Sequence, residues 1–312
     1  MLGFLARRIA LAAFTGFAVL TLVFFVIRVL PGNPAHVILG DFASQSAIEA
    51  LERRLGLDAP IWLQYLDFMR RAVMGDWGAS MLTGRPVMAE ILHVLPWTLE
   101  LTLAAMIIGV AVGVPLGVWA AVRRNRGADY VIRVVSLLGL SFPAFVSAVL
   151  LLLLFAIQLR WFPVISAQSG GASAWAQSLA LPAINLGLIN AAYVTRVTRS
   201  AMLEVMMEDY VRTARAKGAP WCAVIWRHAL GNAMLPIVTV VGLFFGILIG
   251  NSVLTEIVFN RPGLGKLIVG ALTQRDYTML QGLMVIYTLL VVGVNVITDL
   301  IYGFVDPRVK IR

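Results

Sequence analysis

Charge is scarce in this chain. Asp, Glu, Lys and Arg make up 13% of its 312 residues, while 60% are hydrophobic and the mean hydropathy is +0.88. A soluble domain keeps about a quarter of its residues charged, so an ordinary cytosolic enzyme and a disordered or collagen-like chain are both excluded. The single cysteine, Cys222, leaves no intramolecular disulfide and no multi-thiolate metal site. The three histidines, His36, His93 and His228, fall in separate segments; there is no His-Glu-x-x-His pair for zinc and no Gly-x-Ser-x-Gly nucleophile elbow. The nearest approach to a phosphate loop is Gly263-Leu-Gly265-Lys266-Leu267. Asn260 stands where its first glycine belongs, and no hydroxyl follows the lysine to hold Mg²⁺. No cofactor, nucleotide or metal is expected on this chain.

What the sequence does have is long uncharged stretches. A helix crossing a core of ~30 Å needs about 20 apolar residues. Residues 9–27, 101–122, 134–159, 229–255 and 277–298 meet or nearly meet this. The first stretch follows Arg7 and Arg8 but ends in Arg28-Val-Leu-Pro31 rather than a small-residue cleavage site, so it reads as a retained span. A sixth stretch, 179–195, is shorter and interrupted by Pro182, Asn185, Gly187 and Asn190. Hydropathy alone leaves it undecided; the loop charges decide it. Arg7, Arg8, Arg123, Arg124, Arg126, Arg133, Arg196, Arg199, Arg212, Arg215, Lys217, Arg227, Arg308, Lys310 and Arg312 share one side only if 179–195 crosses the bilayer. Cations collect on the cytoplasmic side. The expectation is an all-α, polytopic membrane protein with six transmembrane helices in the cytoplasmic (inner) membrane, both termini cytoplasmic.

On this placement the outer side carries nine cations and nine acids, and the net charge of +9 is an inner surplus. It is a topology signal. A nucleic-acid surface would need those cations gathered on one folded face.

The chain divides into 1–30, a tail and first span; 31–96, an extracytoplasmic segment; and 97–312, a five-span core that includes a cytoplasmic loop, 199–230. In the outer segment, 47–55 and 61–73 set apolar residues and charges at helical spacing around Gly56-Leu-Asp-Ala-Pro60, which predicts two short amphipathic helices. In the spans, Gly109, Gly113 and Gly117 recur every four residues, as do Gly242, Gly246 and Gly250. Each set lays a stripe without side chains along one helix face, where helices either pack closely or slide as a gate moves. Pro115 and Pro143 are positions where spans bend. Glu100 and Asp299 lie near span ends, with Asn185, Asn190, Asn251 and Asn295 as uncharged polar groups. Path or gate candidates are therefore Glu100, Asn251, Asp299, Gly109, Gly113, Gly242 and Gly246. A proton-coupled secondary carrier, the rival class, calls for acids at mid-depth and inverted repeats, and the sequence offers neither.

The inner loop 199–230 is far longer than the ~2–8 residues that join bundled helices. Glu208-Asp-Tyr-Val-Arg-Thr-Ala-Arg-Ala-Lys-Gly218-Ala-Pro220 predicts a short helix, acidic in its first turn, basic in its last and stopped by Gly218 and Pro220. A docking surface for a cytosolic partner fits such an element.

Thr213-Ala-Arg-Ala-Lys-Gly218 followed by Arg227-His-Ala-Leu-Gly-Asn-Ala-Met-Leu-Pro236 resembles the coupling loop of ABC importer permeases of the dipeptide/oligopeptide/nickel family. Leu30-Pro-Gly-Asn-Pro34, Gly75-Asp-Trp-Gly-Ala-Ser80, Thr83-Gly-Arg-Pro86, Thr195-Arg-Val-Thr-Arg-Ser200, Phe259-Asn-Arg-Pro-Gly-Leu-Gly265, Arg275-Asp-Tyr277 and Asp299-Leu-Ile-Tyr-Gly-Phe-Val-Asp-Pro-Arg308 extend the resemblance over essentially the whole chain. Two departures stand out. Gly231 replaces a proline after Leu230, and Arg261 replaces a tryptophan common before Pro-Gly-Leu-Gly. At the outer mouth, Arg261 is expected to be solvated.

The resemblance implies the type I importer permease fold and import of di- or oligopeptides, with glutathione or nickel chelates as alternative cargo. It also implies a homologous second permease in a heterodimer, two cytosolic ATPases that hold ATP and Mg²⁺, and an extracytoplasmic substrate-binding protein. The residues it places at the ATPase contact are Glu208, Asp209, Tyr210, Arg212, Thr213, Ala214, Arg215, Lys217 and Gly218.

Overall fold

A computed structural model describes residues 2–29, 34–40, 43–164 and 171–305, with side chains described for all of these except 2–9, 12, 29, 34, 36, 37, 55 and 299–305. The helices in chain order are α1 (Leu2–Val29), α2 (Pro34–Leu39), α3 (Gln45–Leu55), α4 (Ile61–Met74), α5 (Val87–Val122), α6 (Gly127–Ser141), α7 (Ala144–Leu151), α8 (Gly171–Val205), α9 (Asp209–Ala216), α10 (Trp221–Ala223), α11 (Leu230–Val258), α12 (Leu264–Thr273) and α13 (Tyr277–Val305). Two π-helical stretches, Leu152–Gln158 and Val224–Ala229, continue α7 and lead into α11. Among the described residues the only β-pairing is an isolated antiparallel bridge between Ala79 and Pro86.

Among the described residues, four helical runs are long and apolar enough to cross a membrane: Val87–Val122, Gly171–Val205, Trp221–Val258 and Tyr277–Thr298. A fifth is the pair Gly127–Ser141 and Ala144–Gln158, bent by 99°. The bend lies at Phe142 and Pro143, both extended, because proline cannot donate into the preceding turn and forces the residue before it out of the helical region. The sequence window 134–159 is thus two helices rather than one gently curved span. With α1, whose apolar part Ala13–Arg28 is shorter, the helices are consistent with six spans. Large apolar side chains such as Phe14, Leu137, Leu243 and Ile247 are exposed, an arrangement suited to lipid and unfavourable in water.

The interrupted window 179–195 lies inside α8, and its weak hydropathy now has a reason. About 72% of its most apolar stretch is buried by protein, against 28% for Trp221–Val258 and 22% for Tyr277–Thr298. A helix that meets protein on most sides tolerates Asn185, Asn190 and Thr195, whereas one that meets lipid does not.

The chain forms two compact units. The first comprises residues 1–96 and 266–293. Here α4 lies on α1 through Phe24, which is fully buried against Tyr65 and Phe68 with ring centroids 5.4 and 5.6 Å away, and Thr21 hydrogen-bonds the Tyr65 hydroxyl at 2.9 Å. The expected amphipathic helices are α3 and α4. Ser44 caps α3, its Oγ accepting from the Ala47 amide at 3.3 Å. Asp276 caps α13: Oδ1 accepts from the amides of Met279 and Met81 at 3.0 and 3.2 Å, and Oδ2 accepts from the Ser80 hydroxyl.

The second unit comprises residues 97–265 and 294–312 and is built around α8. Val118 and Ala121 of α5, Ala201 and Met202 of α8, Ile225 of the π-helical stretch, and Ala233 and Ile237 of α11 form one buried cluster. Asp129, fully buried, holds α6 to α8 by a two-pronged pair with Arg199, Nε to Oδ1 at 2.6 Å and Nη2 to Oδ2 at 2.8 Å. The Asn125 amide donates to Oδ2 at 2.9 Å.

Candidate coupling helix and path residues

After α8 ends at Val205, three residues turn the chain into α9, with the Met207 and Glu208 amides donating to the carbonyls of Glu204 and Val205. The helix is where the sequence placed it, with Asp209 in its first turn and Arg215 in its last. Its end is set by Gly218, whose φ of +81° suits a residue without Cβ. The Gly218 amide donates to Arg215 O at 2.9 Å and the Ala219 amide to Ala214 O at 3.2 Å, the paired bonds that close a helix with a left-handed residue.

Only Val211 of α9 is buried. Of the nine residues singled out from sequence, all but the half-buried Ala214 are exposed: Glu208, Asp209, Tyr210, Arg212, Thr213, Arg215, Lys217 and Gly218. Local contacts order this small helix. The Arg215 guanidinium lies over the Trp221 ring, 4.0 Å from its centroid. The Thr213 hydroxyl donates to Asp209 O at 2.9 Å. Partial burial of Tyr210 and the Glu208 carboxylate push its phenol up. α9 packs on the π-helical stretch Val224–Ala229, whose Ile225 and Ala229 enter the buried cluster with α5 and α8. α9 thus rests against the start of a membrane-crossing helix.

The glycine stripe of α5 is a close contact with α8. A Cβ at Gly109 would collide with the Asn190 amide, at Gly113 with Val194 and the Ala191 carbonyl, and at Gly117 with Thr198 and the Thr195 carbonyl. The fit leaves both polar atoms of the Asn190 amide buried without a hydrogen bond. The second stripe behaves differently. A Cβ at Gly242 would strike Thr298, whereas Gly250 has open space and Gly246 is half-buried. Asn251 is exposed, and the side chain of Asp299 lies outside the described residues.

Glu100 is part of a polar knot that the sequence did not reveal. Arg261 is fully buried, not solvated: its Nη2 donates to Glu100 Oε2 at 2.9 Å, its Nε to Trp97 O at 3.2 Å, and its guanidinium lies 4.9 Å from the Trp97 ring centroid. The cause is the end of α11. Asn260 adopts a left-handed φ of +49°, the Arg261 amide returns to Glu256 O at 2.8 Å, and the chain folds back onto α5. Trp175 Nε1 also donates to Glu100 Oε2 at 3.0 Å.

Beside this knot, Glu256 is fully buried. Oε1 accepts from the Thr98 hydroxyl at 2.6 Å and Oε2 from the Gly265 amide at 2.7 Å, while Thr98 Oγ1 accepts from the Leu264 amide at 2.8 Å. Any side chain at Gly263 would collide with the Glu256 carboxylate, and one at Gly265 with the α11 backbone at Val253. The glycines that mimic a phosphate loop thus make room for a carboxylate of the same chain. They were the one sequence signal for this site, a glycine pair around a leucine that no turn required.

Comparison with known proteins gives a consistent set of relatives. Residues 113–311 match the family described as binding-protein-dependent transport system inner membrane component, and residues 1–102 match its N-terminal counterpart. The chain is 39% identical over 312 residues to the glutathione transport system permease protein GsiC of Escherichia coli (strain K12), covering all of both chains. It is 40% identical over 333 aligned positions to the dipeptide transport system permease protein DppB of Alkalihalophilus pseudofirmus, covering 99% of this chain and 100% of that one. Among solved structures, an inward-facing form of the MetNI methionine ABC transporter matches with a TM-score of 0.59 at 20% identity, over 71% of this chain and 98% of the other.

Proposed function

Because the chain belongs to the binding-protein-dependent transport system inner membrane component family, the multi-pass permeases of ABC importers, we propose that it carries peptides across the cytoplasmic membrane in an import complex driven by ATP hydrolysis in partner subunits. The two relatives named for their cargo carry glutathione, itself a tripeptide, and dipeptides. Peptide is the class they share. Nickel chelates, the remaining cargo of the resemblance, have no counterpart in those names.

In this reading both termini and α9 face the cytoplasm and the segment 31–96 faces outward. A binding protein delivers cargo from outside, a homologous second permease completes the path, and two ATPases holding ATP and Mg²⁺ dock beneath. This chain does no chemistry and binds no cofactor. The observation that carries the proposal is the build of α9: eight recognition residues exposed, one buried anchor at Val211, and direct packing on the stretch that leads into α11. Closure of an ATPase pair on such a lever would move α11 relative to the lipid. A proton carrier is the weaker reading, because the buried acids Asp129 and Glu256 are held by Arg199 and by Thr98 with the Gly265 amide rather than left free to exchange protons.

Uptake in a strain lacking this gene tests the cargo. Labelled dialanine and glutathione should each be compared with a labelled sugar. Loss of peptide uptake, restored by the gene, supports the proposal; unchanged peptide uptake with loss of sugar uptake would overturn the peptide assignment.

A further inference from the structure

The first unit contains a cavity of about 540 Å³, within the size range of small-molecule sites, between the end of α1, α3, α4 and the start of α13. Arg28, Arg53, Arg54 and Arg71 line it, against two carboxylates among the described residues, Asp67 and Asp76. Asp67 is already paired with Arg71 at 2.7 Å, and Asp76 Oδ1 accepts from the Gly78 amide. Among the described residues neither Arg28 nor Arg54 has a carboxylate at ion-pair distance, and the Nε of Arg28 is buried without any hydrogen bond. The Arg28 guanidinium lies 5.3 and 5.6 Å from the ring centroids of Phe24 and Tyr277, contacts that supply no acceptor for its Nε, and a guanidinium only donates. Partly enclosed like charges repel one another unless an anion joins them. Tyr277, buried, and Trp77 are also among the lining residues.

We propose that this cavity binds the carboxylate of a small solute, with Arg28 and Arg54 as its principal donors. A guanidinium and a carboxylate match in shape and bond in pairs. The two lining acids disfavour an occupant of high negative charge and leave room for a cationic or amide group beside the carboxylate. The proposal goes beyond the importer reading and does not depend on it, since equilibrium binding needs neither ATPase nor transport. The anionic group of a lipid would satisfy the same donors, and the test separates the two sources.

The full chain in phosphatidylcholine nanodiscs is titrated with labelled dialanine and with dialanine amide, which lacks the carboxylate. Dialanine should bind at least about tenfold more tightly, and Arg28→Gln and Arg54→Gln should each weaken it about tenfold, the loss expected for one charge-assisted contact. Arg85→Gln, outside the cavity and paired with Glu90, should leave binding unchanged. Arg54 is exposed, so its variant decides the matter if Arg28→Gln fails to fold. Equal binding of acid and amide, or no response to Arg54→Gln, would overturn the proposal. Loss of dialanine binding when phosphatidylglycerol is added to the nanodisc would overturn it too, by assigning the cavity to a headgroup.

Discussion

Replacing Glu256 by glutamine changes one atom and the charge while keeping the shape, so it isolates what the buried carboxylate does. Both carboxylate oxygens accept from fixed donors, the Thr98 hydroxyl at 2.6 Å and the Gly265 amide at 2.7 Å. Glutamine offers only one oxygen. Whichever way it turns, its NH₂ faces a donor, and either the amide or the hydroxyl proton goes without a partner. A hydrogen bond to a charged group contributes about 1.5–3 kcal/mol, and an unmet buried donor costs about 1–3 kcal/mol. The site is fully buried, so solvent offers little compensation. Glu256→Gln is therefore expected to destabilise the chain by about 2–4 kcal/mol, or roughly 4–16 °C at about 2–4 °C per kcal/mol. The assay is thermal unfolding of purified protein followed by tryptophan fluorescence, with Thr98→Val and the double variant completing a cycle. Because the two side chains share one bond, the double variant should lose clearly less than the sum, with a coupling of about 1–3 kcal/mol. Additivity to within about 0.5 kcal/mol would refute the bond as a source of stability.

Three further outcomes are expected. Asp129→Asn removes the charge facing Arg199 and should cost about 1.5–3 kcal/mol, and Arg199→Lys, which cannot form the two-pronged pair, should lose a similar amount in the same melt. Gly113→Leu drives a side chain into Val194 and the Ala191 carbonyl and should destabilise by at least about 1–3 kcal/mol, while the same change at Gly250, which has open space, should stay within about 0.5 kcal/mol. Gly218→Val places a branched residue in the left-handed region, at about 1–2 kcal/mol; the expected sign is faster proteolysis within 209–220 with the spans intact.

The periodic features of this fold could be read in advance. Unbroken apolar windows located the spans, the alternation of basic loops required residues 179–195 to cross, and the signals Glu208, Asp209, Arg215 and Gly218 bounded α9 to within a residue or two. All are local or additive properties of the chain. The features that escaped are long-range. Thr98 and Glu256 are 158 positions apart and Arg261 and Glu100 are 161, and nothing near any of them in sequence names its partner. Arg261 illustrates the difficulty: a cation in a polar loop is solvated unless the chain folds back, and that depends on the left-handed Asn260. The bend at Pro143 was visible as a proline, but its size of 99° was not, and both α6 and α7 pack on α8. The α5 glycines also pointed to close packing without saying that Asn190 and Thr198 would be the residues pressed against them.

The central claim is that α9 couples ATP hydrolysis in partner subunits to peptide uptake through this chain. It is tested most directly by reconstituting the permease with its ATPases and binding protein in proteoliposomes and measuring dialanine uptake for wild type and Gly218→Asp. The substitution strains a left-handed position and adds a negative charge at a helix C-terminus, where the dipole is already negative. The account predicts uptake that requires ATP and falls at least about tenfold in the variant, while the permease still inserts and stays monodisperse. Uptake without ATPase, or uptake unchanged by Gly218→Asp, would contradict it.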